Sequence, residues 1–154
     1  IISRLENCSS LKLQKLLYLS YKDYLNKSKK KLFKEDLKAW EYDPVVQEVY
    51  AAYKHFGRGS IKLSKSYKDE QNITDGKELS VPKSLITARF IAIKDGIEMI
   101  SSIDKVIAAH GNKTAKELVD ITHEKGSPWE IVYSKKPGYG IIDPETILNG
   151  KKLN

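Results

Sequence analysis

A single cysteine, Cys8, in 154 residues excludes an internal disulfide and fits a reducing compartment. No apolar run approaches the roughly 20 residues that span a bilayer, so no membrane segment is expected. No signal-peptide pattern opens the chain, and the start at Ile1 rather than Met leaves room for trimmed residues. The expected setting is the cytoplasm. Histidine is scarce as well. His55, His110 and His123 stand far apart, and His123-Glu124 lacks the second histidine of a zincin helix, so no metal set is expected. Gly57-Arg58-Gly59 and Gly138-Tyr139-Gly140 lack the strand–loop–helix context and the lysine of a phosphate loop, and both read as turns. Adjacent carboxylates such as Glu35 and Asp36 point apart in regular structure and make poor acid–base pairs. Neither an enzyme nor a cofactor is expected. His123, close to Trp129 in sequence, reads as a packing or capping residue ahead of a catalytic base.

What is present describes a globular chain: 40% apolar, 31% charged, with a net charge of +7. A basic surface attracts nucleic acid or an acidic protein. Arginine supplies only three of the 27 cationic residues, whereas base and phosphate readout favours arginine forks. The lysine run at 27–31 suits the negative end of a helix dipole. The tyrosines number nine, but Tyr21, Tyr24, Tyr50 and Tyr53 fall on apolar stripes and read as core rather than as stacking platforms.

The spacing predicts a helix over 11–26, capped by Ser9 or Ser10, with a stripe of Leu13, Leu16, Leu17, Ser20, Tyr21, Tyr24 and Leu25. Residues 32–42 read as extended, anchored by Phe33, Leu37, Trp40 and Tyr42. Asp43 is expected to cap a helix that starts at Pro44 and reaches about Phe56, with Val46, Val49, Tyr50 and Tyr53 on one face and Gly57 at its end. Residues 60–80 read as a polar loop, with a hairpin around 61–63 and 73–74, and 82–94 as helical. Asp95-Gly96 should interrupt, before a helix through Met99, Ile103 and Val106 that stops at Gly111. Thr114 with Glu117 forms a capping box. Ser127-Pro128 and Asp143-Pro144 open two further helices. The expected fold is α+β but mostly α: one compact helical domain over 1–154 with a short strand or hairpin.

These pieces, in this order, resemble the Panacea-domain family, also called SocA-like antitoxins or phage-associated GepA-type proteins. The resemblance is carried by Lys12-Leu13-Gln14-Lys15-Leu16-Leu17-Tyr18, by Leu32-Phe33, by Ala39-Trp40, and by Tyr42, Pro44-Val45-Val46 and Val49-Tyr50. It closes with Leu118, Thr122-His123 and Pro128-Trp129, and it covers about residues 5–150. Asp43 departs from the family's usual glycine. The resemblance implies an antitoxin that neutralises a cognate toxin by direct contact, in some members as an adaptor presenting the toxin to a protease. The alternative is a nucleic-acid-binding regulator of a phage or mobile element. Candidate partner-binding residues are Tyr18, Trp40, Tyr42 and Asp43, with the 60–80 loop as a specificity element. Leu13, Gln14, Lys15, Pro44, Val45, Val46, Tyr50, Thr122, His123, Pro128 and Trp129 are the structural signature. For Trp40 and Trp129 a shared core ranks ahead of an interface.

Overall fold

Helix α1 (Ser10–Ser28) is the centre of the fold. It belongs to a computed structural model that describes residues 1–62, 88–89 and 91–150. Ser9 caps it, its Oγ accepting from the Lys12 N–H at 3.2 Å. Lys29 ends it in the left-handed conformation (φ 59°), returning its N–H to the Leu25 carbonyl. The expected stripe is present, with Leu13, Leu16, Ser20, Tyr21, Tyr24 and Leu25 all buried. Burial extends well beyond the stripe to Gln14, Lys15, Tyr18, Leu19 and Lys22. The reason is that α1 is surrounded by α3 (Gly96–His110), α4 (Ala115–Thr122), the sheet and the C-terminal helix. A helix packed on several sides must satisfy its polar side chains internally.

The sheet is small and antiparallel, in the order β2 (Pro44–Val46), β1 (Leu37–Ala39), β3 (Gly140–Ile141). Strands β1 and β2 form a hairpin around Glu41 and Tyr42. Trp40 and Asp43 close it by exchanging both backbone bonds, at 2.8 and 3.2 Å. Asp43-Pro44 therefore does not open a helix, contrary to expectation. Helix α2 (Gln47–Tyr53) starts three residues later, after Val46, with no side-chain cap. Two effects overrule the cap–proline pattern. Val45 and Val46 are β-branched and pair in register with Lys38 and Leu37, and the Asp43 carboxylate is drawn to Lys15 instead. Val46 thus leaves the predicted helical face, and α2 buries no residue fully.

The outer edge of β2 is sealed. Its outward-facing backbone belongs to Pro44, which has no N–H, and to Val46, whose N–H and C=O are both taken by the Gln14 carboxamide at 2.9 and 3.2 Å.

The remaining helices start as read. Thr114 and Glu117 complete a reciprocal capping box on α4. Ser127 accepts from the Glu130 N–H at 3.2 Å to open α5 (Pro128–Lys135). Asp143 accepts from the Thr146 N–H at 2.7 Å to open α6 (Pro144–Asn149). Asp95, at φ 63°, breaks the chain before α3. Leu16, Leu25, Ala39, Leu118, Trp129 and Ile147 meet in the main core. Gly140 lets α5 lie against the sheet, since a Cβ there would come within 2.2 Å of Val132 Cγ1. The fold is mostly helical α+β, with six α-helices and three strands among the described residues. The hairpin expected around 61–63 and 73–74 lies almost wholly outside the described residues. So does most of 82–94, of which Ala88, Arg89, Ile91 and Ala92 are helical. Among the described residues no helix is long and apolar enough to cross a membrane.

Candidate partner-binding site

Successive polar residues on α1 hold the hairpin. Gln14 grips β2 as described, and Lys15 reaches the turn. The Lys15 side chain is fully buried. Its ammonium pairs with the Asp43 carboxylate, donates to the Tyr42 carbonyl at 2.9 Å, and lies 3.5 Å from His123 Nε2. With the ammonium as donor, Nε2 accepts, which leaves the ring proton on Nδ1. All three groups feel burial as the largest influence. It pushes the Asp43 carboxyl up to about 6 against the attraction of Lys15. It lowers the Lys15 ammonium, which Asp43 partly restores. It brings His123 down to about 4, with the positive charge of Lys15 second. His123 is therefore neutral at pH 7.

His123 also ends α4 and stacks flat on Trp129, with ring centroids 3.6 Å apart and planes at 5°. Trp129 stacks in turn on Tyr133 at 4.8 Å, and its indole N–H donates to the Trp40 carbonyl at 2.9 Å. His123 and Trp129 thus brace the hairpin turn, the first through Lys15 and the second through the Trp40 carbonyl. Trp129 and Thr122 are buried, and His123 is half-buried against the Trp129 ring. Lys15, the titratable group beside His123 Nε2, has a fully buried side chain. Among the described residues no cluster of three or more His, Cys, Asp or Glu could hold a metal ion.

In front of the braced hairpin lies an open groove of about 800 Å³. Trp40, Tyr42, Tyr50 and Tyr139 line it, along with Leu11, Gln14, Lys38, Glu41, Asp43, Val45 and Lys54. Trp40 and Tyr50 meet edge to face at 5.2 Å. Tyr42 is 68% exposed, so it is not the core anchor expected of the extended segment, and Tyr139 is 90% exposed. The Glu41 carboxylate raises the pKa of the Tyr42 phenol.

The four candidate contact residues separate sharply. Trp40 and Tyr42 are available in the groove. Tyr18 is 1% exposed and lies in the core, so it offers a partner nothing. Asp43 borders the groove but is spent on Lys15. Sequence reasoning missed Tyr139, which it treated as part of a glycine turn. A large aromatic side chain between two glycines was the available signal, since such a turn offers it no packing surface.

Fold and groove define a small helical scaffold that braces a hairpin carrying the aromatic side chains of Trp40 and Tyr42. The family model described as antitoxin SocA-like, Panacea domain, matches residues 13–130, and the chain belongs to that family. It is similar to the Antitoxin SocA of Caulobacter vibrioides (strain NA1000 / CB15N), with 29% identity over 124 residues. The match covers 80% of this chain and 59% of that protein, so the chain spans well under two thirds of the relative's length. No solved structure matches it.

Proposed function

We propose that this chain is a non-enzymatic antitoxin, a single SocA-like domain over 1–154 that acts in the cytoplasm. It masks a cognate toxin by direct contact through the aromatic groove. The observation that carries this reading is where the family's signature residues go. Gln14, Lys15, His123 and Trp129 are buried or half-buried and spend their polar atoms on holding one hairpin. That hairpin presents Trp40 and Tyr42 to solvent beside Tyr50 and Tyr139. Aromatic side chains on a rigid backbone are the usual energetic centres of protein interfaces. The family supplies the kind of partner, a toxin. Presentation of the bound toxin to a protease is a further step of this reading.

The nucleic-acid reading is weaker because several of the cations are neutralised in ion pairs. Lys15 pairs with Asp43, Lys27 and Lys105 with Asp23, Lys30 with Asp95, and Arg4 with Asp104. Co-expression tests the proposal. The product of the neighbouring gene should arrest growth alone, and this chain should relieve the arrest and co-purify with it. Arrest that persists, or relief without a complex, removes it.

A further inference from the structure

We infer that the groove receives an acidic, extended segment of the partner, which adds as a strand to the outer edge of β3. The inference rests on the antitoxin reading and specifies how that site is used.

Among the described residues the pairing pattern leaves one edge of the sheet open. Ile142 N–H donates to the Leu37 carbonyl at 2.7 Å, and Lys38 lies opposite Ile141. In an antiparallel ladder this turns the N–H and C=O of Ile141 away from β1. No described group bonds to either. The contrast with β2 is direct, because that edge has no donor at Pro44 and both groups of Val46 are taken by Gln14. A sheet with one edge closed and one open can accept a strand only at the open edge.

The side chains agree with this placement. Ile141, Lys38 and Val45 lie opposite one another in register and so share a face of the sheet. Lys38 and Val45 line the groove. A strand added at Ile141 would run along the groove rim past Tyr139, with alternate side chains over the aromatics. Ile141 is 49% exposed, so a docked strand has apolar surface to cover there.

Charge sets the chemistry of the segment. The groove carries the ammonium groups of Lys38 and Lys54, while Asp43 is neutralised by Lys15 and leaves Glu41 as the exposed carboxylate. Lys38 donates to Gln47 Oε1 at 2.6 Å, a neutral partner that leaves its charge in place. With a net +7 over the whole chain, local and long-range fields both favour an acidic strand.

The test uses the full chain with the toxic product of the neighbouring gene. Ile141→Pro deletes the outward donor without touching the ladder to β1, and Ile141→Thr keeps the donor while trimming the side chain. Ile141→Pro should weaken the complex about tenfold or more and Ile141→Thr by less. On the wild-type complex, exchange of the Ile141 amide should slow about tenfold or more, a readout that does not depend on how the proline variant folds. Affinity should fall as salt rises from about 0.05 to 0.5 M. If the wild type does not relieve the arrest, the antitoxin reading itself fails. If it does, but Ile141 stays unprotected in the complex or Ile141→Pro binds as the wild type does, strand addition is wrong. Salt-independent affinity removes the acidic segment. Protection of Ile141 in the free chain together with dimeric sedimentation would assign the edge to a second copy and overturn the inference.

Discussion

Gln14 and Val46 are bonded in both directions: the carboxamide accepts the Val46 N–H at 2.9 Å and donates to its carbonyl at 3.2 Å. Gln14 is 2% exposed and Val46 is 2% exposed, so water cannot replace either bond. One side chain thereby joins the central helix to the sheet and closes a strand edge. Gln14→Leu is close in size but leaves a buried donor and a buried acceptor without partners. The expected loss is about 2–6 kcal/mol, from an unsatisfied-group cost of about 1–3 kcal/mol each. Urea unfolding should show a lower midpoint with an unchanged slope, and an unaffected midpoint would mean that the edge rearranges freely.

Lys15 and Asp43 form the second tie. Removing one charge strands the other in the interior, which costs about 3–5 kcal/mol, whereas replacing both with apolar groups costs far less. Lys15→Met and Asp43→Leu should each be strongly destabilising, and the double variant more stable than either. A double-mutant cycle by chemical denaturation reads this directly. Asp43→Gly should also be strongly destabilising, because it leaves Lys15 unpaired. An N-cap role would have limited that change to a few tenths of a kcal/mol.

The difference between those two expectations shows what the letters can carry. The caps at Ser9, Thr114, Ser127 and Asp143 are local chemistry, each settled within three or four residues, and all four stand as read. Asp43-Pro44 has the same local form but a different outcome, because its competitor, Lys15, lies 28 positions away on another element. Periodicity found the apolar stripe of α1 but not its burial on the other faces, which depends on what the later helices cover. For the same reason Gln14 and Lys15 could be recognised as signature letters without revealing that they grip a hairpin. Tyr18 shows the converse error, an aromatic taken for a contact that the surrounding helices enclose. The groove was half legible. Trp40 and Tyr42 came from the hairpin segment, whereas Tyr139 arrives from nearly 100 residues downstream through the pairing of β3 with β1.

The buried trio gives an opposed pH dependence. His123 has its pKa lowered to about 4 in the fold. Between about pH 6.5 and 4 the unfolded chain therefore takes up its proton first, and this contribution to stability is lost as pH falls. Asp43 is raised to about 6. The folded chain takes up that proton first, and stability is gained as pH falls from about 6 towards 4. The two slopes partly cancel in the wild type. His123→Phe, which keeps a ring against Trp129, should leave the gain, and Asp43→Asn should leave the loss. Melting temperatures from pH 7 to 4 should thus diverge in opposite senses from the wild-type curve, and parallel curves would exclude titration at both residues.

The groove aromatics should separate binding from stability, because they sit in front of the ties rather than among them. Tyr139 is 90% exposed and Tyr42 is 68% exposed, so truncating either removes little buried surface. Tyr42→Ala and Tyr139→Ala should each shift folding stability by no more than about 0.5 kcal/mol. If the groove is the contact surface, each should weaken toxin binding by more than about 1 kcal/mol, about fivefold or more, as interface aromatics do. Trp129→Phe should behave in the opposite way. Trp129 is 8% exposed and holds the Trp40 carbonyl through its indole N–H, so its loss lowers stability first and binding only as the hairpin loosens. Calorimetric titration with the purified toxin, beside thermal melts of the same variants, distinguishes these patterns. Tyrosine variants that bind as tightly as the wild type would move the contact surface away from the hairpin, to a part of the scaffold that Gln14 and Lys15 do not organise.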